Sequence, residues 1–176
     1  MTPVKPTIVL LHGAWHTPAA FAPFSKILRD YGYPVHDTLQ LPCTGTSLPL
    51  SADIDAIRNV LDQLIEVQCK DVVLVMHSMG GVSGGMAAKG LGKEARQKEG
   101  KSGGIVKLVG LSANVPKVGE AHLEQAMSFA KSIGVEPKQF FEIRNVSLTS
   151  LMLHTLVCGL QLTSASCVGR DARVHW

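Results

Sequence analysis

The stretch Val72-Val73-Leu74-Val75-Met76-His77-Ser78-Met79-Gly80-Gly81 decides the fold. An apolar run of strand type ends at a serine, and a glycine-rich segment able to start a helix follows at once. A strand that turns sharply into a helix presents the residue at its tip, so the pattern names a reactive atom, the Ser78 hydroxyl oxygen. Serine also caps helices without doing chemistry. The neighbours His77, Met79, Gly80 and Gly81, with a second motif at His12-Gly13, favour the nucleophile over the cap.

Working outward from that turn, the chain alternates between strand and helix signals. Thr7 to Leu11 is apolar after its first residue, as a strand buried on both faces of a parallel sheet requires. Pro18 can open a helix, and Phe21, Phe24, Ile27, Leu28 and Tyr31 recur at helical spacing up to Gly32. Tyr33 to Leu41 reads as a second strand, closed by Pro42 and the loop Cys43-Thr44-Gly45-Thr46. Ser51 with Asp53 and Asp55 marks a helix start, and Ile54, Ile57, Leu61, Leu64 and Ile65 form its apolar stripe. Asp53, Asp55 and Asp62 read as capping and solvent-facing charge. Val72 to Met76 is the third strand and Met79 to Leu91 the helix after it. A polar connection, Gly92 to Gly104, leads to a fourth strand, Ile105 to Ser112. Strands separated by helix-length segments indicate parallel crossover units, so the class is α/β.

After Pro116 the pattern changes. Ala121 to Ile133 and a segment from Pro137 read as helical, and Ser147 to Leu162 as a buried apolar helix. The expected organisation is a core over 1–118, a partial cap-like helical segment over 119–163 and an irregular tail over 164–176.

Composition narrows the function classes. The 176 residues are 45% hydrophobic and 18% charged, the balance of an ordinary globular chain. Net charge is only +3, and the densest basic stretch, Lys89 to Lys101, also carries Glu94 and Glu99, so it reads as a solvated helix and loop. That argues against a nucleic-acid partner. No segment has the layout of a targeting signal, and none approaches the roughly 20 apolar residues that cross a bilayer, so no membrane partner is expected. Cys43, Cys69, Cys158 and Cys167 lie far apart with no metal spacing. They read as reduced thiols of a cytoplasmic protein.

Serine is a poor nucleophile at neutral pH. It needs a base to take its proton and donors to hold the oxyanion that forms when a carbonyl is attacked. The backbone N–H of Met79, at the start of the helix, is placed to give one donor, and the helix dipole favours negative charge there. The loop after the first strand, His12-Gly13-Ala14, is placed to give a second through the N–H of Ala14. Trp15, His16 and His77 are candidate substrate-lining residues. Strand alternation points His77 away from the nucleophile, and His12 reads as a hydrogen bonder that steadies its loop.

Four co-ordered segments carry a family resemblance: Leu10-Leu11-His12-Gly13-Ala14-Trp15, Leu41-Pro42-Cys43-Thr44-Gly45, Val75-Met76-His77-Ser78-Met79-Gly80-Gly81 and Leu111-Ser112-Ala113-Asn114-Val115-Pro116. In order and spacing they resemble the α/β-hydrolase superfamily, in its small esterase branch with plant methyl esterases, hydroxynitrile lyases and fungal and bacterial hydrolases. The resemblance covers residues 5 to 120. It implies an α/β-hydrolase core of about four parallel strands flanked by helices. It also implies Ser78 as nucleophile, Ala14 and Met79 as oxyanion donors, and neither metal nor organic cofactor.

Two features depart from the family pattern. Met76 stands two residues before the serine, where a small side chain is usual. Gly80, Gly81, Gly84 and Gly85 leave room for close helix–sheet packing around it. The acid and the base of the family lie beyond the cap, after later strands that this sequence lacks, so the chain resembles a C-terminally truncated member. Asp171 as acid and His175 as base are candidates in the right order, four residues apart in the tail. His154, in the apolar segment, reads as core or cap lining.

Two functions follow as expectations. One is a serine hydrolase of esterase, lactonase or thioesterase type, acting on a small acyl substrate of secondary metabolism through an acyl-enzyme on Ser78. The other is a truncated, catalytically impaired pseudoenzyme that binds a small molecule or a protein. The absence of the later strands also leaves a sheet edge through which copies of the chain could associate.

Overall fold

The computed structural model describes residues 4–116, together with positions 119, 131, 132 and 134. The chain divides into two compact units, Met1–Ala126 and Met127–Trp176, and the elements below belong to the first. Strand β1 is Thr7–Leu11, buried along its whole length. A 3-10 turn, Pro18–Phe21, runs into helix α1, Ala22–Asp30, and a short strand β2, Val35–His36, follows. Helix α2, Leu50–Asp62, ends in one widened π turn, Gln63–Val67. Strand β3 is Asp71–His77, helix α3 Gly80–Ala87, helix α4 Lys93–Lys98 and strand β4 Gly104–Leu111.

All pairings are parallel, in the order β2-β1-β3-β4. The chain steps from β1 to one side, to β2, and then crosses back to the other side, to β3. Right-handed crossovers in opposite directions must use opposite faces of the sheet, and the packing follows. Ile8, Leu10 and Val75 meet Phe21 and Leu28 of the α1 layer on one face. Val9, Leu11, Leu74 and Met76 meet Ile57, Leu61 and Ala87 of the α2 and α3 layer on the other. The reversal falls between β1 and β3. In open α/β sheets the crevice beyond the carboxyl ends of such a strand pair is where ligands bind.

The sequence reading needs four corrections. The second strand is two residues long, not nine, because Leu39 and Leu41 serve the core on the α2 face and do not continue the ladder. The connection after Gly92 contains α4, whose buried Arg96 donates to the carbonyls of Ser102 and Gly103 and pairs bidentately with Glu66. Asp53 is buried, not solvent-facing, and its carboxylate accepts the Cys43 N–H at 2.8 Å. On α1, Ile27 and Tyr31 are exposed, so only part of the apolar stripe faces the sheet.

Among the described residues β4 ends the sheet. Its ladder with β3 slips by one residue, leaving Val106 opposite no partner, and Val106, Lys107 and Leu111 are exposed. Cys43 and Cys69 are free thiols. No helix among the described residues is long and apolar enough to cross a membrane.

Candidate active site

The turn from β3 to α3 is built around strain. Ser78 has a φ of +51°, in the left-handed region that costs a non-glycine residue about 1–3 kcal/mol. Surrounding bonds hold it there. Its N–H donates to the Leu111 carbonyl at 3.4 Å, and its carbonyl accepts from Gly81 N–H at 3.0 Å and Asn114 N–H at 2.9 Å. The segment after β4, with Ser112 itself at φ +46°, is therefore part of the scaffold. Sequence alone gave that segment no such role, because a backbone-to-backbone contact leaves no mark in side-chain pattern.

Close packing explains the glycines. A Cβ on Gly80 would stand 2.7 Å from the His12 carbonyl oxygen, and one on Gly81 2.5 Å from that of Asn114. At Gly84 a Cβ would meet Leu11 Cδ1 at 2.7 Å and Met76 Sδ at 2.8 Å. The larger side chain two residues before the serine is thus accommodated by a missing side chain on the facing helix. Gly85 takes no part, since a Cβ there would meet nothing within 4 Å.

The loop after β1 approaches the serine from the neighbouring strand. A Cβ on Gly13 would lie 2.8 Å from Ser78 Cβ and 3.0 Å from His77 Nδ1, so only glycine fits. His12 is buried and bonded at both ring nitrogens: Nδ1 lies 2.9 Å from the Gly13 carbonyl, and Nε2 accepts the Leu41 N–H at 3.1 Å. These partners fix the neutral tautomer with the proton on Nδ1. Burial also pushes its pKa below the usual 6.5. His12 steadies the loop, as the sequence predicts, and ties it to the segment after β2.

Among the described residues, the N–H groups of Ala14 and Met79 donate to no protein acceptor. Among the described residues, two unpaired backbone donors thus flank a strained, partly exposed serine. Trp15 is 61% exposed, at φ +62°. His16 and His77 meet edge-to-face with ring centroids 5.4 Å apart, and His77 meets Phe21 in the same way at 6.5 Å. Burial, then the neighbouring imidazoles, lowers the His77 pKa.

The structure thus brings Ser78, Met79, Gly13, Ala14, His16 and His77 to one end of the sheet. Neither His12, His16, His36 nor His77 bonds the Ser78 hydroxyl. The candidate acid Asp171 and base His175, with His154, lie outside the described residues. No three His, Cys, Asp or Glu side chains converge among the described residues. A cleft of about 660 Å³ opens elsewhere, at the amino ends of the strands. It is lined by Lys5, Thr7, Cys69, Lys70 and Asp71 among others, and contains no serine–histidine pair. The switch point and the strained serine, both at the opposite end, place the candidate chemistry there.

Comparison with known proteins bears on the family and the fold. Two fungal relatives align: a probable hydrolase of Phoma sp., 32% identical over 123 residues, and an alpha/beta hydrolase of Aspergillus novofumigatus, 30% identical over 121. Each alignment covers 67% of this chain but 46% and 47% of the relative, so the chain spans about half the length of the curated relatives it matches. Among solved structures, polyneuridine aldehyde esterase superposes with a TM-score of 0.55 at 20% identity, over 74% of this chain and 48% of the esterase. Tomato methylketone synthase I gives 0.53 at 20%, over 72% and 48%. Both show the fold. A sequence model of the Alpha/beta hydrolase family matches residues 8–156, most of the chain. With the parallel sheet, the strained turn after β3 and these matches together, the chain belongs to the alpha/beta hydrolase family.

Proposed function

We propose that this protein is a serine hydrolase that opens a small ester, lactone or thioester through an acyl-enzyme on Ser78. The observation that carries the reading is Ser78 at φ +51° beside the N–H groups of Ala14 and Met79, which find no acceptor among the described residues. Ser78 Oγ attacks the carbonyl carbon, the two N–H groups hold the oxygen as it becomes negative, and the bond to the leaving alcohol or thiol breaks. The serine proton passes by way of a base to the leaving group. Water then attacks the acyl carbon, which releases the acid and returns the proton to Ser78. His175 as base and Asp171 as acid, both outside the described residues, are the candidates we propose for these transfers, and Trp15, His16 and His77 are the side chains we propose along the substrate.

The esterase named among the structural relatives supports this reaction class. The free thiols Cys43 and Cys69 favour a cytoplasmic setting, and we assign the substrate to the small acyl compounds of secondary metabolism. One observation favours a second reading: no described imidazole bonds the Ser78 hydroxyl. The chain would then bind an acyl compound at the same donors without turning it over.

Turnover of short-chain p-nitrophenyl esters by the wild type and Ser78→Ala separates the two. The hydrolase releases p-nitrophenol over many cycles in a Ser78-dependent way. Saturable binding of the ester with no repeated release, from folded protein, would overturn the enzyme and leave the binding module.

A further inference from the structure

The turn that carries the Ala14 donor is held in a form its own sequence disfavours. His16 N–H donates to the Gly13 carbonyl at 3.3 Å, closing a four-residue turn with Trp15 in its third place at φ +62°. Ala14, in the second place, has no positive φ, so the turn is of type II, which wants glycine where Trp15 stands. A bulky aromatic there is strained, and its ring is too exposed for packing to compensate. Rotating the Ala14–Trp15 peptide by half a turn would give a type I turn, with Trp15 in an ordinary conformation. Something must oppose that rotation.

One side chain is placed to do so. His16 Nδ1 lies 2.9 Å from the Ala14 carbonyl oxygen, the acceptor that the rotation would carry away. Facing a carbonyl, Nδ1 must carry the proton. The ring is buttressed in turn: it meets His77 edge-to-face, and His77 meets Phe21 at the foot of α1. Ala14 is the joint between the rotating peptide and the peptide that bears its own N–H. Its N–H direction is fixed only while the turn is fixed.

We propose that His16 is a positioning residue of the oxyanion loop: its Nδ1–H, by holding the Ala14 carbonyl, keeps the strained Gly13–His16 turn in place and so aims the Ala14 N–H at the developing oxyanion. This rests on the Ser78 reaction proposed above and adds a role distinct from lining the substrate. A positioning role predicts a loss in the acylation step beyond any loss of substrate affinity. It also predicts that glycine at position 15, which accepts the left-handed conformation freely, makes His16 dispensable.

The test measures the p-nitrophenol burst on mixing with p-nitrophenyl acetate for the wild type, His16→Ala, His16→Asn, Trp15→Gly and the Trp15→Gly/His16→Ala pair. The ¹⁵N–¹H spectrum of each protein gives the Ala14 and Trp15 amides. His16→Ala is expected to slow acylation about tenfold or more, a larger effect than any on KM, as misplacing a group by a fraction of an ångström does. His16→Asn, which keeps a donor near the Nδ1 position, recovers most of that rate. In the Trp15→Gly background, removing His16 costs little further. A full His16→Ala penalty in that background, or a penalty wholly in KM, overturns the proposal.

The spectrum separates this inference from the reaction it rests on. A wild type with no Ser78-dependent burst defeats the Ser78 reading. The turn-locking role then stands if His16→Ala shifts the Ala14 and Trp15 amides and Trp15→Gly removes the dependence, and falls if those amides do not move.

Discussion

Ser78 holds its hydroxyl at the tip of a turn at the expense of backbone strain, and two residues near it share that condition, Trp15 and Ser112. Strain at a residue can be measured by relieving it. Ser78→Gly should raise stability by about 1 kcal/mol relative to Ser78→Ala, because glycine takes φ +51° without the Cβ clash. Chemical denaturation of the two variants reads the difference, and equal stabilities would mean the turn relaxes in solution. The strained turn at Ser78 was legible in the sequence because a strand-type apolar run ends there and Gly80 and Gly81 follow at once. His12 was legible for a similar reason. The burial of Asp53 was not: a carboxylate near a helix start looks the same whether it caps in solvent or accepts a distant loop N–H. The hold of His16 on Ala14 was equally silent, since the geometry of one turn decides it.

At the scale of elements, the turn after β3 is wedged between two loops, and glycines set the separations. Gly81 is the tightest, with the Asn114 backbone where its Cβ would be. Gly81→Ala should cost about 1–3 kcal/mol, the range for forcing extra atoms into a packed region. It should also break the Asn114 N–H to Ser78 carbonyl bond. Thermal unfolding measures the cost, and faster exchange of the Asn114 amide proton reports the lost bond. Gly85→Ala, in open space, is the control. The parallel strands β1, β3 and β4 were readable because apolar runs between helix-length segments admit few other arrangements. The brevity of β2 was not, because Leu39 and Leu41 are apolar for the sake of the core and mimic a continuing strand. The burial of Arg96 on α4 was not readable either, because a lysine- and arginine-rich stretch looks like a solvated helix and loop whichever of its side chains turns inward.

At the scale of the molecule, three histidines among the described residues carry a pH signature. Burial lowers the pKa of His12, His36 and His77 below the usual 6.5, with the Asp37 charge partly offsetting the effect at His36. The unfolded chain therefore binds more protons than the folded one just below pH 6.5, so stability rises with pH there. The contribution is fully present above 6.5 and is lost as pH falls through the folded-state values. Denaturant midpoints taken from about pH 8 down to about pH 5 should decline on the acid side. A flat profile would mean these imidazoles are not held neutral.

Everything proposed for this protein depends on Ser78 acting as a nucleophile presented to an oxyanion site. The most direct measurement is intact-mass and peptide mapping after exposure to a fluorophosphonate, whose phosphorus mimics the attacked carbonyl carbon. Ser78 Oγ displaces fluoride and keeps the phosphonyl group. A single adduct is expected, mapped to Ser78 and absent from Ser78→Ala. Folded wild-type protein that stays unlabelled, or is labelled equally in the variant, would contradict it.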